Sequence, residues 1–83
     1  MEQEIFEVIR NILKDDFHLY NVEFNTTSNI RNDFGLDSLD VMEILIKLEE
    51  KYNIHISYTD SDAVQTVQDV VNLVITNIKN NKK

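Results

Sequence analysis

Ser38 sits between two aspartates, Asp37 and Asp40, inside the string Asp33-Phe34-Gly35-Leu36-Asp37-Ser38-Leu39-Asp40, and an amphipathic run from Val41 to Tyr52 follows at once. With Asp37 as the N-cap of a helix, Asp40 takes the third helical position, and the two form a capping box built from aspartates. Ser38 is then the first helical residue. Its hydroxyl is not required as the cap and can point to solvent. A phosphodiester on that oxygen would lie near the unpaired N–H groups of the helix start, where the dipole favours an anion. Gly35, the chain's only glycine, lets the preceding backbone turn tightly and leaves room for a modifying enzyme to approach. An Asp-Ser pair alone is an ordinary helix start, so the longer string must carry the distinction.

Two other chemistries are open to these residue types, and both are weak. A serine hydrolase needs an imidazole base, and only His18 and His55 are present. Gly35-Leu36-Asp37-Ser38-Leu39 is not a Gly-x-Ser-x-Gly elbow, and no strand precedes it. Both histidines read as surface or loop residues. Asp60-Ser61-Asp62 begins like a calcium loop but lacks the glycine and the closing glutamate at the required spacing. No catalytic residue and no metal site is assigned.

The element that must position Ser38 covers Ser38 to about Tyr52. At 100° per residue, Val41, Ile44, Leu45, Leu48 and Tyr52 fall on the core side, opposite Asp40, Glu43, Lys47, Glu50 and Lys51. Leu39, Met42 and Ile46 form a third edge beside Glu43, Glu49 and Glu50. An apolar arc this wide fits either a central helix buried against several neighbours or an apolar strip with an acidic rim offered to a partner. A first helix is expected over about Glu2 to Phe17, with Ile5, Ile9, Ile12, Leu13 and Phe17 at helical spacing and Glu2, Glu4 and Glu7 complementing the dipole. A long connection follows to Leu36. Its turn lies at Thr26-Thr27-Ser28-Asn29, and Val22, Phe24, Ile30 and Phe34 are placed to pack beneath it.

Ile54-His55-Ile56 alternates but is too short for a strand assignment, and Asp60 to Val64 suits one short helical turn. Thr66-Val67-Gln68-Asp69 resembles a capping box, opening a last helix to about Ile78. That helix is rich in β-branched residues, so tertiary packing must hold it. The last residues, 79–83, read as a frayed tail.

Composition bounds the rest. The chain has 83 residues, no cysteine, no proline and one glycine, which suits one small helical domain, 1–83, without disulfides or protein thiol chemistry. Net charge is −7, but three of the eight bases are Lys79, Lys82 and Lys83; residues 1–78 hold five bases against all fifteen acids, a net of −10. Such a body repels nucleic acid and anionic membranes and attracts basic protein surfaces. No signal peptide or membrane-spanning stretch is visible, so a cytoplasmic monomer that neither inserts in membranes nor binds nucleic acid is expected.

Asp33-Phe34-Gly35-Leu36-Asp37-Ser38-Leu39-Asp40, then Glu43 and Leu48-Glu49-Glu50, closely resembles the acyl carrier protein signature, and the likeness extends over about Ile30 to Ile75. The resemblance implies a small antiparallel four-helix bundle, with three main helices and one short one. It implies that Ser38 receives 4′-phosphopantetheine from coenzyme A, so that the arm's thiol carries an acyl group as a thioester. Asp37, Asp40, Glu43, Glu49 and Glu50 match acids read by basic patches on partner enzymes, with Leu39, Met42 and Ile46 as the apolar contacts between them. Those partners are a phosphopantetheinyl transferase, acyltransferases, ketosynthases and other enzymes of fatty-acid or polyketide type. Leu48, Ile56, Val64 and Val70 match the interior that shelters an acyl chain. Asp37-Ser38-Leu39-Asp40 favours the acyl branch over peptidyl and D-alanyl carriers.

The chain departs from the family pattern at Arg31, Leu36, Val41, Lys47 and Ser57, and none of these is expected to touch the attachment site. A cofactor-free acidic module that docks basic partners is the competing reading. It shares the salt-sensitive binding and lacks only the covalent change at Ser38.

Overall fold

The computed structural model describes residues 2–20, 24–56 and 64–80. Three helices carry the fold: α1 (Glu2–Phe17), α2 (Ser38–Tyr52) and α3 (Val67–Asn80). Each packs against the other two. Among the described residues the only β-type pairing is an isolated antiparallel bridge between Asn29 and Thr66, so the fold is a small all-α bundle. The short turn expected at Asp60 to Val64 falls mostly outside the described residues, as do Val22 and Ser57.

Each helix buries most of the stripe that its spacing assigns, with Ile12, Phe17, Tyr52, Ile75 and Ile78 left half-buried. Ile5, Ile9 and Leu13 of α1, Val41, Ile44, Leu45 and Leu48 of α2, and Val67, Val70, Val71 and Val74 of α3 form one core. Ile30, Phe34, Leu36, Ile56 and Val64 join it from the connections. The β-branched α3 is thus held by packing rather than by propensity. It runs to Asn80, two residues beyond the expected end at about Ile78.

The long first connection is a built structure. Phe24 packs on Phe6 of α1 with ring centroids 4.5 Å apart and stacks on Phe34 at 5.9 Å. Asn29 organises the turn that follows: its side chain accepts from the N–H groups of Arg31 at 3.0 Å and Asn32 at 2.8 Å. The same connection caps α3. Val67 N–H donates to Ser28 O at 3.0 Å and Gln68 N–H to Thr26 O at 3.0 Å, satisfying donors that a helix start leaves without partners. Thr66 and Asp69 complete the capping box, with Asp69 N–H to Thr66 Oγ1 at 3.1 Å and Thr66 N–H to Asp69 Oδ2 at 3.0 Å.

Tyr52, at the end of α2, is half-buried, and its hydroxyl is enclosed with no hydrogen-bond partner among the described residues. Burial, and secondarily the Glu4 carboxylate, raise its pKa above 10.0. The neutral phenol is therefore favoured in the folded state. This contribution to stability is present below pH 10 and is lost as pH rises through the raised value. Tyr52→Phe removes both an unsatisfied polar group and that alkaline loss. We expect it to raise stability by about 1 kcal/mol at neutral pH, with a widening advantage above pH 10. Denaturant titrations of both proteins at pH 7 and 10.5 check this; a loss of stability in the variant at pH 7 would show that the hydroxyl is satisfied.

Candidate functional site

The backbone ahead of α2 is shaped by Gly35, at φ 69°. A side chain there would be strained by the backbone conformation, although no described atom beyond its chain neighbours lies within 4 Å of where its Cβ would stand. Leu36 then turns into the core, 8% exposed, which accounts for its departure from the small residue of the family pattern. Asp37 is extended, at φ −101° and ψ −174°, and caps the helix. Its Oδ1 accepts from Asp40 N–H at 2.9 Å, and Asp40 Oδ2 accepts from Asp37 N–H at 3.2 Å. The reciprocal aspartate box is as the sequence predicts. Val41 N–H makes the first turn's backbone bond, to Asp37 O at 3.0 Å. Ser38 and Leu39 thus have N–H groups without an acceptor inside the helix.

Ser38 is exposed, and its hydroxyl does no capping. It does have a neighbour that the sequence pattern did not reveal. Arg31 Nη1 donates to Ser38 Oγ at 3.1 Å. The expectation that no departure touches the site is therefore wrong at Arg31. The sequence signal was there, a base in place of an apolar residue seven positions upstream, but only the folded turn brings the two together. A guanidinium donates only, so it cannot serve as a general base for this serine. The histidines are engaged elsewhere: His18 stands 6.2 Å from the Tyr20 ring, and His55 Nδ1 is 3.8 Å from Glu49 Oε2.

Along α2, Leu39 is 74% exposed and Ile46 36% exposed, and Met42 between them is half-buried. The three follow one another at helical steps of three and four, forming an apolar edge. Asp37, Glu43 and Glu50 are exposed beside it, and Asp40 is half-buried in the capping box. Glu49 differs from the other acids. Its side chain is only 18% exposed, and its Oε2 accepts from Ile56 N–H at 2.6 Å. Its backbone oxygen also accepts from Ile54 N–H at 3.1 Å and from the N–H of Asn53, which takes the left-handed conformation at φ 55°. Glu49 thus ties the connection after α2 to the helix. Lys47 is turned to α1, with Nζ 3.5 Å from Asp16 Oδ2. Such a partly exposed pair adds little stability, but it directs the lysine away from the Leu39–Ile46 edge.

Leu48, Ile56, Val64 and Val70 come together in the core, at 0%, 1%, 3% and 0% exposure. All four belong to the one buried core cluster.

Residues 7–74 match the family described as "Phosphopantetheine attachment site". Over 79 residues the chain is 34% identical to an acyl carrier protein of Coprothermobacter proteolyticus, covering 94% of this chain and 96% of that protein. It is 37% identical over 73 residues to an acyl carrier protein of Wolinella succinogenes, covering 88% and 96%. Its fold matches the crystal structure of an acyl carrier protein from Thermotoga maritima with a TM-score of 0.87 at 15% identity, covering 98% of this chain and 94% of that one. The chain belongs to the acyl carrier protein family, whose cofactor is covalently attached 4′-phosphopantetheine.

The residues present fit that group. An exposed hydroxyl stands at a helix start, and the neighbouring guanidinium supplies donors suited to a phosphodiester.

Proposed function

We propose that Ser38 is the attachment residue and that the chain, acting as one domain over 1–83, presents acyl intermediates to successive biosynthetic enzymes without performing chemistry itself. The observation that carries this is the division of labour at the start of α2. Asp37 and Asp40 do the capping, so the exposed Ser38 hydroxyl can be esterified without a loss to the fold. Once attached, the group supplies a thiol that holds an acyl group as a thioester. Tethering then raises the local concentration of the acyl group at each enzyme. Asp37 and Asp40 hold the helix start, and Arg31 orients the Ser38 hydroxyl.

The docking surface is the edge of Leu39, Met42 and Ile46 rimmed by Asp37, Asp40, Glu43 and Glu50, read by basic patches on a phosphopantetheinyl transferase, acyltransferases and ketosynthases. Glu49 shapes this surface through the loop that it holds. Leu48, Ile56, Val64 and Val70 are the interior into which an acyl chain inserts. A cytoplasmic monomer suits this role, and no helix among the described residues is long and apolar enough to cross a membrane.

The test is intact mass after incubation with coenzyme A, magnesium and a broad-specificity phosphopantetheinyl transferase. One added phosphopantetheine per chain is expected. No addition to a folded protein would favour the cofactor-free acidic module. Docking is tested separately with Glu43→Lys. Glu43 is exposed beside the apolar edge, so reversing it should lower the transferase's kcat/KM on the order of tenfold at low salt, with the difference shrinking as salt screens it. Unchanged kinetics at low salt would place the docking surface elsewhere.

A further inference from the structure

Arg31 is held where its side chain meets Ser38. Its N–H donates to Asn29 Oδ1 at 3.0 Å. Asn29 in turn is fixed from both sides: its own N–H donates to Asp33 Oδ2 at 2.7 Å, and its carbonyl accepts from Asp33 N–H at 2.8 Å. The bridge to Thr66, with Ile30 N–H on Gln65 O at 2.8 Å, anchors the same turn to the start of α3. From this base the guanidinium reaches across to Ser38 Oγ at 3.1 Å.

The surroundings give this contact a purpose that a neutral hydroxyl does not need. Arg31 is the one lysine or arginine between Lys14 and Lys47, an interval that holds seven acids. Asp37 and Asp40 flank Ser38 in sequence. An anion attached at Oγ is placed among these carboxylates, and the helix start offsets only part of their repulsion. A guanidinium gains little over water from a hydroxyl. With a phosphodiester it forms charge-assisted bonds and can engage two oxygens at once. The phosphorus of a phosphodiester on Oγ is bonded directly to the atom that the guanidinium already meets, and the non-bridging oxygens lie one bond further.

We infer that Arg31 is the positioning residue for the cofactor's phosphodiester: its guanidinium shifts from Ser38 Oγ to the non-bridging oxygens and fixes the direction in which the arm leaves α2. This rests on the reading of Ser38 as the attachment residue. It goes beyond that reading, because the family pattern has an apolar residue at position 31. The arm's first bonds are then restrained while its thiol end stays mobile.

The test compares apo and loaded protein, with loading established by intact mass. The chain has two arginines, Arg10 and Arg31, so a 15N-labelled sample gives two Nε–Hε signals, assigned with Arg31→Gln. On loading, the Arg31 signal should move and the Arg10 signal should stay. Arg31→Gln should shift the phosphorus resonance of the loaded protein. The change in Tm from apo to loaded should be more favourable in the wild type than in Arg31→Gln by roughly 4 °C, with Arg31→Lys between them. A merely structural Arg31 would lower both forms of the variant equally. A loaded wild type with an unmoved Arg31 signal overturns the contact, and it does so even if the glutamine variant is poorly folded or poorly loaded. A folded wild type that takes up no cofactor overturns the Ser38 assignment, and the contact with it.

Discussion

Ser38→Ala is expected to abolish phosphopantetheine loading and leave the fold in place. The reasoning is local. Ser38 is the first helical residue, exposed, with Asp37 and Asp40 making the capping bonds on either side. Alanine is favourable inside a helix, and no cap or core contact is removed. The hydrogen bond lost is the exposed one from Arg31, which water can replace. Stability should therefore stay within about 0.5 kcal/mol of the wild type. Intact mass should show no added group under conditions that load the wild type fully, while thermal melts of the two apo proteins overlay. Cofactor on the alanine variant would remove Ser38 from the assignment. A large fall in Tm would show that the hydroxyl is part of the fold, and would weaken the argument from division of labour.

That division follows from how little of the site is spent on stability. The apolar core ends at Leu36 on one side and Val41 on the other. Between them stand Asp37, Ser38, Leu39 and Asp40, none buried. Asp37 and Asp40 serve each other. Leu39, at 74% exposure, has no place in the core at all. An exposed leucine beside an exposed serine and a rim of acids is unfavourable for solubility alone, and it suits a surface that is covered transiently by a basic partner.

The three helices were legible because their signals are local and mutually consistent. Of the apolar faces that the spacing assigns, Ile5, Ile9 and Leu13, Val41, Ile44, Leu45 and Leu48, and Val67, Val70, Val71 and Val74 are buried, while Ile12, Phe17, Tyr52, Ile75 and Ile78 at their margins are half-buried. Both capping boxes were readable, since each lies within four residues of chain. The site's remaining features depend on contacts between residues far apart or on side-chain direction. The carbonyls of Thr26 and Ser28 cap α3 from some forty residues away. Arg31 reads in sequence as a loop substitution, and only the Asn29 turn aims it at Ser38. Glu49 and Glu50 are adjacent acids with the same apparent role. A rotation of 100° separates a carboxylate that binds Ile56 N–H from one left in solvent.

Leu48→Ala should cost about 3 kcal/mol in the apo protein. That is a large share of the roughly 4–12 kcal/mol available to a domain of this length. Leu48 is fully buried, at 0% exposure, and shares the core with Ile56, Val64 and Val70. Truncation leaves a cavity that the fixed helix backbone cannot close. If these four residues are the interior that receives an acyl chain, the same cavity becomes room for it. In the variant the chain gains the volume that the leucine side chain fills in the wild type. Acylation through the arm should therefore raise the denaturation midpoint more in Leu48→Ala than in the wild type, recovering part of the loss. Urea titrations of both proteins, with and without a medium-length acyl group, measure the difference. An equal acyl effect in the two would mean that the chain lies elsewhere, and the pocket assignment would fall while the carrier reading stood. Val70→Ala removes fewer atoms from the same wall and gives a milder version of the comparison should the leucine variant prove too unstable to load.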